Sequence, residues 1–93
     1  MTFTVSVSEQ AERDASRLDD WLSASAPQAA ERLGMALMKA FDSLTEMPLR
    51  GRITGPTTRE IKVPFGRDAY IIRYRVSGSH VTVTRIWHSL EDR

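Results

Sequence analysis

The spacing of apolar residues changes twice along these 93 residues, and this change is the strongest constraint on the fold. Residues 3–7 alternate between apolar and small polar side chains, which is the period of a half-buried β-strand. From about residue 8 to residue 47 apolar residues recur at helical spacing, and from residue 61 the period-two alternation returns. The chain is therefore predicted to contain one strand, then helices, then a group of strands.

A first helix is predicted directly after the opening strand. Ser8 is suited to cap it, and Glu9 and Glu12 lie in its first turn, where the helix dipole favours acidic side chains. We expect it to end near Ser23, because Ser25-Ala26-Pro27 interrupts the pattern. The predicted buried stripe consists of Ala11, Ala15, Leu18 and Trp21/Leu22.

A second helix is predicted from Pro27 to Met47-Pro48, because proline is tolerated at the first helical position but not further inside. Gly34 in its interior costs up to about 1 kcal/mol relative to alanine, so we expect it to mark a close approach to the first helix. The two helices should then form a hairpin. The apolar stripe of the second helix consists of Ala30, Leu33, Leu37, Phe41 and Leu44.

Three further strands are predicted in the last third of the chain. Residues 49–58 contain two glycines and a proline, so we expect a connection there and no regular element. In the last strand the apolar positions change parity between Val83 and Ile86, which predicts a bulge or a strand that is apolar on both faces. The strands are Ile61–Phe65, Tyr70–Val76 and His80–Trp87, joined by turns at Gly66-Arg67-Asp68 and Ser77-Gly78-Ser79.

The predicted fold class is α+β, with the order βααβββ in a single domain spanning residues 1–93. The helical hairpin should cover one face of an antiparallel sheet in a two-layer arrangement. Tyr70 and Tyr74 alternate with Ile72, which places both rings in the core. The other sheet face would display Lys62, Arg73 and Arg75.

The distribution of charge indicates an anionic partner for the second half of the chain. The net charge is only +1, but residues 1–49 carry four basic and eight acidic residues, a net of −4. Residues 50–93 carry nine basic and four acidic residues, a net of +5, and eight of the nine are arginine. Because the guanidinium group matches phosphates and carboxylates bidentately, nucleic acid and an acidic protein segment both qualify as partners.

Several kinds of site are excluded or made improbable by the composition. The chain has no cysteine, which excludes disulfides, thiolate catalysis and cysteine zinc sites and fits a reducing cytosol. His80 and His88 lie on one predicted strand with no acidic residue between them, so we expect no metal site. No glycine-rich phosphate loop leads into a helix, and no apolar run approaches roughly 20 residues. No basic stretch is followed by an apolar run at the N-terminus, so we expect no secretion by a signal peptide. We expect neither a cofactor nor a membrane partner.

Short motifs are spread over nearly the whole chain. The first half contains the opening strand followed by Ala11, an acidic helix ending near Trp21, Pro27 with Ala30, and Leu44 with Pro48. The second half contains Gly51-Arg52, Arg59-Glu60-Ile61 with Val63, Tyr70-Ile71-Ile72-Arg73-Tyr74 and Arg85-Ile86-Trp87-His88. In this order they resemble the RelE/ParE superfamily of type II toxin–antitoxin systems, and within it the ParE-like branch.

The resemblance implies a growth-inhibiting protein of the bacterial cytoplasm. A cognate antitoxin, ParD-like or similar, would hold it inactive in a toxin–antitoxin hetero-oligomer by wrapping it with a C-terminal segment. ParE-like members poison DNA gyrase and stabilise plasmids, whereas RelE-like members cut messenger RNA in the ribosomal A site, and the fold alone does not distinguish them. We expect no sequence-specific DNA binding by this chain alone.

The two functions differ in the residues that they require. RNA cleavage needs a base, an acid and cations for the phosphorane, and the chain offers only His88 with Arg67 and Arg85. This set is incomplete, so gyrase inhibition without a catalytic residue is the leading hypothesis, and a metal-independent mRNA endoribonuclease is the alternative. The residues predicted to bind the target or another anionic partner are Arg67, Arg73, Arg75, Arg85, Trp87 and His88. The residues predicted to bind the antitoxin are Trp21, Met35, Met38, Arg73 and Arg75.

Several of these residues also have a purely structural interpretation. His88 can equally be a structural or antitoxin-contacting histidine, Arg73 and Arg75 can be the wet side of a sheet, and Trp21 can belong to the core. His80 is expected to be solvated, and Arg59 beside Glu60 is expected to form a surface ion pair of little energetic weight. The antitoxin segment should be apolar toward the helical hairpin and acidic toward the arginines, as a disordered tail that folds on binding can be.

Overall fold

Two helices and five strands make up the fold, and the computed structural model describes residues 2–91. The helices are α1 (Glu9–Ser25) and α2 (Pro27–Glu46), separated by Ala26 alone. The strands are β1 (Thr4–Val7), β2 (Arg52–Ile53), β3 (Thr58–Phe65), β4 (Asp68–Ser77) and β5 (His80–His88). The predicted α+β class and the order βααβββ are confirmed, with the short strand β2 added.

The sheet order is β1-β5-β4-β3-β2, which brings the first and last strands together. The prediction of an antiparallel sheet is wrong for one pair: β1 runs parallel to β5, whereas β2, β3, β4 and β5 are antiparallel to their sequence-adjacent neighbours. A parallel pair needs a long crossover between its strands, and the helical hairpin lies within the connection from β1 to β5. Alternation of apolar residues carries no information about strand direction, so the sequence could not reveal this pairing.

Strand β2 lies inside the segment that was predicted to be an irregular connection. Its two residues, Arg52 and Ile53, pair with Glu60 and Arg59, and both are exposed. A two-residue strand with no buried face leaves no alternation in the sequence, which is why the pattern missed it.

The predicted irregularity in the last strand is a β-bulge. Tyr74 lies opposite Val83 and Arg73 lies opposite Arg85, so Thr84 is the additional residue on β5. The bulge lets Val83 and Ile86 both reach the core although they are three residues apart.

The core lies between the helical hairpin and the inner face of the sheet. Its buried residues are Ala11, Leu18, Leu33, Leu37, Ala40, Leu44, Ile61, Val63, Tyr70, Ile72, Tyr74, Val81, Val83 and Ile86. The core positions predicted for Tyr70 and Tyr74 are confirmed. Trp21 does not join the α1 stripe: its side chain is 68% exposed, and Leu22 supplies the partly buried contact instead.

Gly34 does not mark a close approach of the two helices. A Cβ atom built at this position meets nothing within 4 Å, so the expectation of tight packing there is wrong. Gly34 lies on the exposed side of α2, directly after the buried Leu33 and next to the exposed Met35.

Candidate functional site

The outer face of the sheet carries a row of charged side chains that is centred on Glu60. Its Oε2 atom accepts hydrogen bonds from Arg73 Nε at 2.9 Å and Nη2 at 2.7 Å, and its Oε1 atom lies 3.3 Å from Arg52 Nη2. The Arg73 guanidinium also lies over the Trp87 ring, 4.9 Å from the ring centroid. Arg73 and Trp87 therefore lie together as predicted for a shared surface, but Arg73 already has a carboxylate partner within the chain.

Trp87 is buried on the sheet face away from the helices. It follows the inward-facing Ile86 on β5 and lies outside the main core cluster, although only 7% of its surface is exposed. The Arg73 guanidinium covers part of it, a cation–π contact that stabilises by about 0.5–1 kcal/mol at partly exposed sites.

Arg59 does not pair with its neighbour Glu60. Its Nη1 atom donates to the carbonyl oxygens of Leu49 and Gly51, both at 2.9 Å. The expectation of a surface Arg59–Glu60 ion pair is therefore wrong, because adjacent residues on a strand point to opposite faces. Arg59 instead holds the segment that leads into β2.

Arg85 forms an ion pair with Asp14, a residue outside the predicted site. Arg85 Nε lies 2.9 Å from Asp14 Oδ2 and Nη2 lies 3.3 Å from Oδ1, while the Ile86 N–H donates to Oδ2 at 2.9 Å. Strand β1 ends at Val7, opposite Val83, so this stretch of β5 has no strand neighbour on that side. Asp14 on α1 takes the place of that neighbour.

A signal for Asp14 exists in the sequence. It lies three residues after Ala11 and four before Leu18, both buried, so helical spacing places it on the apolar stripe of α1. A carboxylate in such a stripe requires a buried cationic or hydrogen-bonding partner.

The environment of Asp14 gives the protein an acid-sensitive contact. Burial alone would raise the pKa of this carboxyl, but hydrogen bonds from Arg85, the Ile86 N–H and Gln10, with the charge of Arg85, lower it below its ordinary value of 3.8. Because the pKa of Asp14 is lower in the folded protein than in the unfolded chain, its carboxylate stabilises the fold at pH values above the pKa of the unfolded chain. This stabilisation is lost as the pH falls through the pKa of the folded protein.

We therefore expect the free energy of unfolding to fall on acidification below about pH 4, and to fall less in the Asp14→Asn variant, which has no proton to gain at this position. Urea unfolding followed by circular dichroism at a series of pH values measures this. Equal acid sensitivity in both proteins would contradict it.

His88 lies at the end of β5 with both ring nitrogens in contact with the protein. Its Nδ1 atom accepts the Leu90 N–H at 3.2 Å, so the neutral ring carries its proton on Nε2, which lies 3.4 Å from Asp68 Oδ2. The ring also packs edge-on against Tyr70, with centroids 5.1 Å apart. These contacts hold the His88 ring at the junction of β4, β5 and the residues after β5.

Arg67 and Arg75 are the predicted partner-binding arginines that remain available. Both are exposed, Arg67 in the turn between β3 and β4 and Arg75 on β4. Within residues 2–91 neither makes a hydrogen bond or an ion pair. They lie near opposite ends of β4, so the structure does not bring them together.

Of the five residues predicted to contact the antitoxin, Arg73 and Arg75 lie on β4 and the other three lie on the helices. Met35 and Met38 are exposed on α2, and Trp21 is exposed on α1. Trp21 lines a cavity of about 430 Å³ with Leu18, His88 and the 77%-exposed Leu90, between α1 and the residues after β5. Trp21 and His88, which are 67 positions apart in the sequence, thus share one cavity.

Residues 2–91 were searched for a metal-binding group of side chains and for a membrane-spanning helix, and neither was found. Residues 2–91 contain no group of three or more histidine, aspartate or glutamate side chains arranged to hold a metal ion. In the same range, neither helix is long and apolar enough to cross a membrane.

Comparison with known proteins gives matches over nearly the whole chain. Residues 5–93 match the family described as the ParE toxin of the type II toxin–antitoxin system parDE. The chain is 63% identical over 93 residues to "Toxin RelE1" of Caulobacter vibrioides, covering 100% of both chains, and 36% identical over 90 residues to "Toxin RelE3" of the same organism, covering 97% of this chain and 98% of the relative. A solved structure, "Chromosomal ParDE TA system from P. aeruginosa", shares the fold with a TM-score of 0.75 and 16% identity, covering 94% of this chain and 96% of that one.

Proposed function

The chain belongs to the ParE toxin family of type II toxin–antitoxin systems, and on this premise we propose that it arrests bacterial growth by binding DNA gyrase in the cytoplasm. A cognate antitoxin would neutralise it within a hetero-oligomer. Gyrase is the target that the ParE-like branch implies.

One observation supports the choice of binding over RNA cleavage: two of the three groups that a nuclease would use, His88 and Arg85, are already engaged within the chain, and only Arg67 is not. Both ring nitrogens of His88 have partners, and Arg85 is held by Asp14. Acid–base catalysis requires a group that can exchange its proton with the substrate.

The two tyrosines do not supply the missing acid or base. Burial raises the pKa of Tyr70, with further contributions from the carboxylates of Glu91 and Asp68. Burial also raises the pKa of Tyr74, although the Gly51 N–H and the charges of Arg59 and Arg50 act in the opposite direction. Both rings are buried in the core, where solvent does not reach them.

The first experiment measures toxicity and its cause together. Induced expression of the full chain in bacteria should produce DNA breaks and filamentation, and the purified chain should convert supercoiled plasmid to linear DNA in the presence of gyrase and ATP. Growth arrest with intact DNA and no cleavage complexes would reject gyrase as the target.

The variant His88→Ala tests the role of the histidine. The binding hypothesis requires no proton transfer at His88, so His88→Gln, which keeps hydrogen-bonding groups but cannot transfer a proton, should retain toxicity. His88→Ala should retain it as well unless the side chain itself contacts gyrase. His80→Ala is the matched control, since His80 is exposed and its ring hydrogen-bonds, among residues 2–91, only to Ser6, at 2.8 Å. Melting curves of all three variants separate a loss of function from a loss of fold.

The alternative is a ribosome-dependent mRNA endonuclease. It is favoured by the RelE names of the relatives and by the position of Arg67, which precedes the Asp68 that contacts His88. Primer extension on ribosome-bound transcripts should then show codon-positioned cuts that disappear in both His88 variants. Toxicity that survives both substitutions removes this candidate.

A further inference from the structure

One row of side chains crosses four strands on the outer face of the sheet. Arg52 on β2 lies opposite Glu60 on β3, Glu60 lies opposite Arg73 on β4, and Arg73 lies opposite Arg85 on β5. The row therefore contains three arginines and one carboxylate. Like charges that lie directly opposite each other destabilise a sheet, so the neighbours Arg73 and Arg85 each need a nearby anion.

The two neighbouring arginines turn to carboxylates on opposite sides. Arg85 pairs with Asp14 on α1, and Arg73 pairs with Glu60, which Arg52 also approaches. The side chain of Glu60 is only 12% exposed, whereas those of Arg52 and Arg73 are 78% and 38% exposed. Glu60 is therefore a largely covered anion between two arginines that reach solvent.

The contacts of Glu60 are those that arginines make with a phosphate group. Arg73 directs both Nε and Nη2 to Glu60 Oε2, at 2.9 and 2.7 Å, and Arg52 Nη2 lies 3.3 Å from Oε1. A guanidinium presents the same donors to the anionic oxygens of a phosphodiester. The carboxylate of Glu60 thus lies where a phosphate would lie between these two arginines.

A cavity beside Glu60 has the charge to receive an anion once this carboxylate is neutral. Its volume is about 330 Å³, and its charged lining residues are Arg50, Arg52, Lys62 and Glu60. Arg50 is hydrogen-bonded to the hydroxyl of Ser43 and so keeps its charge. Without the charge of Glu60 the cavity is lined by three cations and no anion, which favours an anionic ligand.

We propose that Glu60 determines the specificity of the outer sheet face: its carboxylate takes the place of a phosphate and excludes the sugar–phosphate backbone of a single-stranded nucleic acid. The helices pack on the inner face, so the outer face is otherwise accessible to such a strand. To bind there, a phosphate must displace an anion that is tethered in place and therefore has a high effective concentration. The proposal goes beyond the proposed function and does not depend on gyrase.

The variant Glu60→Gln tests the proposal, because the amide keeps the size of the side chain and one acceptor oxygen but has no charge. Fluorescence anisotropy at low salt should show that it binds single-stranded oligouridylate about tenfold more tightly than the wild type, and the gain should shrink as salt is added. The matched control is Glu31→Gln, which makes the same change in net charge at an exposed position on α2. Absence of a gain in Glu60→Gln, or an equal gain in the control, would overturn the proposal.

Arg73 locates the effect in a double-mutant cycle. In the Glu60→Gln background, Arg73→Gln should abolish the gained affinity, whereas Arg32→Gln, at an exposed position on α2, should retain most of it. In the wild-type background, which needs no change at Glu60, Arg73→Gln should weaken binding no more than Arg32→Gln. A larger loss there would show that Arg73 is available despite Glu60 and would overturn the proposal.

Oligothymidylate, measured in parallel, tests the chemistry of the ligand. Equal gains for the RNA and the DNA strand support recognition of the phosphate backbone, and a gain for RNA alone would overturn it in favour of contacts to the 2′-hydroxyl. If the toxin fails to trap gyrase but Glu60→Gln gains affinity for both strands, the proposed target is wrong and the role of Glu60 stands.

Discussion

Replacing Asp14 with alanine is expected to lower the free energy of unfolding by about 3 kcal/mol. The carboxylate is 2% exposed and accepts hydrogen bonds from Arg85, from the Ile86 N–H and from Gln10. Its removal leaves a partly buried guanidinium and a buried backbone N–H without partners, and both costs add to the loss of the pair. Because Arg85 is about one-third exposed, the loss should lie near the lower end of the range for buried pairs.

The control for this prediction lies on the same helix. Asp19→Ala removes an exposed carboxylate from α1 and should change the free energy of unfolding by no more than about 0.5 kcal/mol. The loss of unfolding free energy in Asp14→Asn should lie between those of Asp14→Ala and Asp19→Ala, since its amide oxygen can still accept the Ile86 N–H. Chemical denaturation of the three variants makes the comparison, and a loss at Asp14 no greater than that at Asp19 would show that the carboxylate does not hold β5.

The second large effect is expected at Gly51. A Cβ atom at this position would lie 2.4 Å from the Tyr74 hydroxyl oxygen and 2.8 Å from the Glu60 carbonyl oxygen, both far inside van der Waals contact. Tyr74 is fully buried and its hydroxyl accepts the Gly51 N–H at 2.9 Å, so it has no space into which to retreat. Gly51→Ala should therefore lower the free energy of unfolding by about 2 kcal/mol through overpacking and the strained hydrogen bond.

Gly34→Ala is the matched control and should act in the opposite direction. No atom outside the backbone of its own helical turns and its two chain neighbours lies within 4 Å of its Cβ position, and alanine is the better helix former, so we expect a gain of about 0.5–1 kcal/mol. The Tyr74→Phe background tests the mechanism, because it removes the nearest clashing atom and should reduce the cost of Gly51→Ala in a double-mutant cycle. An undiminished cost in that background would assign the effect to the Glu60 carbonyl.

Local sequence patterns predicted those features of the fold that depend on interactions between residues close together in the chain. Ser8 caps α1 by accepting the Ala11 N–H at 3.1 Å, and Pro27 occupies the start of α2, as their side chains require. The parity change in β5 predicted the bulge at Thr84. Strand β2 and the parallel β1–β5 pair escaped the patterns, because one is too short to alternate and the other depends on where a distant strand lies.

The candidate site followed from the sequence only in part. The sequence indicated which arginines lie in the cationic half, but it did not indicate which of them keep their charge available. Arg73 and Arg85 are neutralised by Glu60 and Asp14, whereas Arg67 and Arg75 remain exposed. The separation of Arg85 from Asp14 by 71 positions puts this pairing beyond any local pattern.

Both helices, four of the five strands, their order and the family could be predicted from the sequence, because periodicity, caps and turns act over a few residues and the motifs occur in a set order along the chain. Which charges face an unoccupied surface is visible only in the folded structure. Lys39, Arg50 and Lys62 come from a helix, a connection and a strand, and they line one groove because α2 packs beside β3. Whether a charged side chain already has an ionic partner depends on which distant segments lie beside it, and these segments come together only in the folded chain.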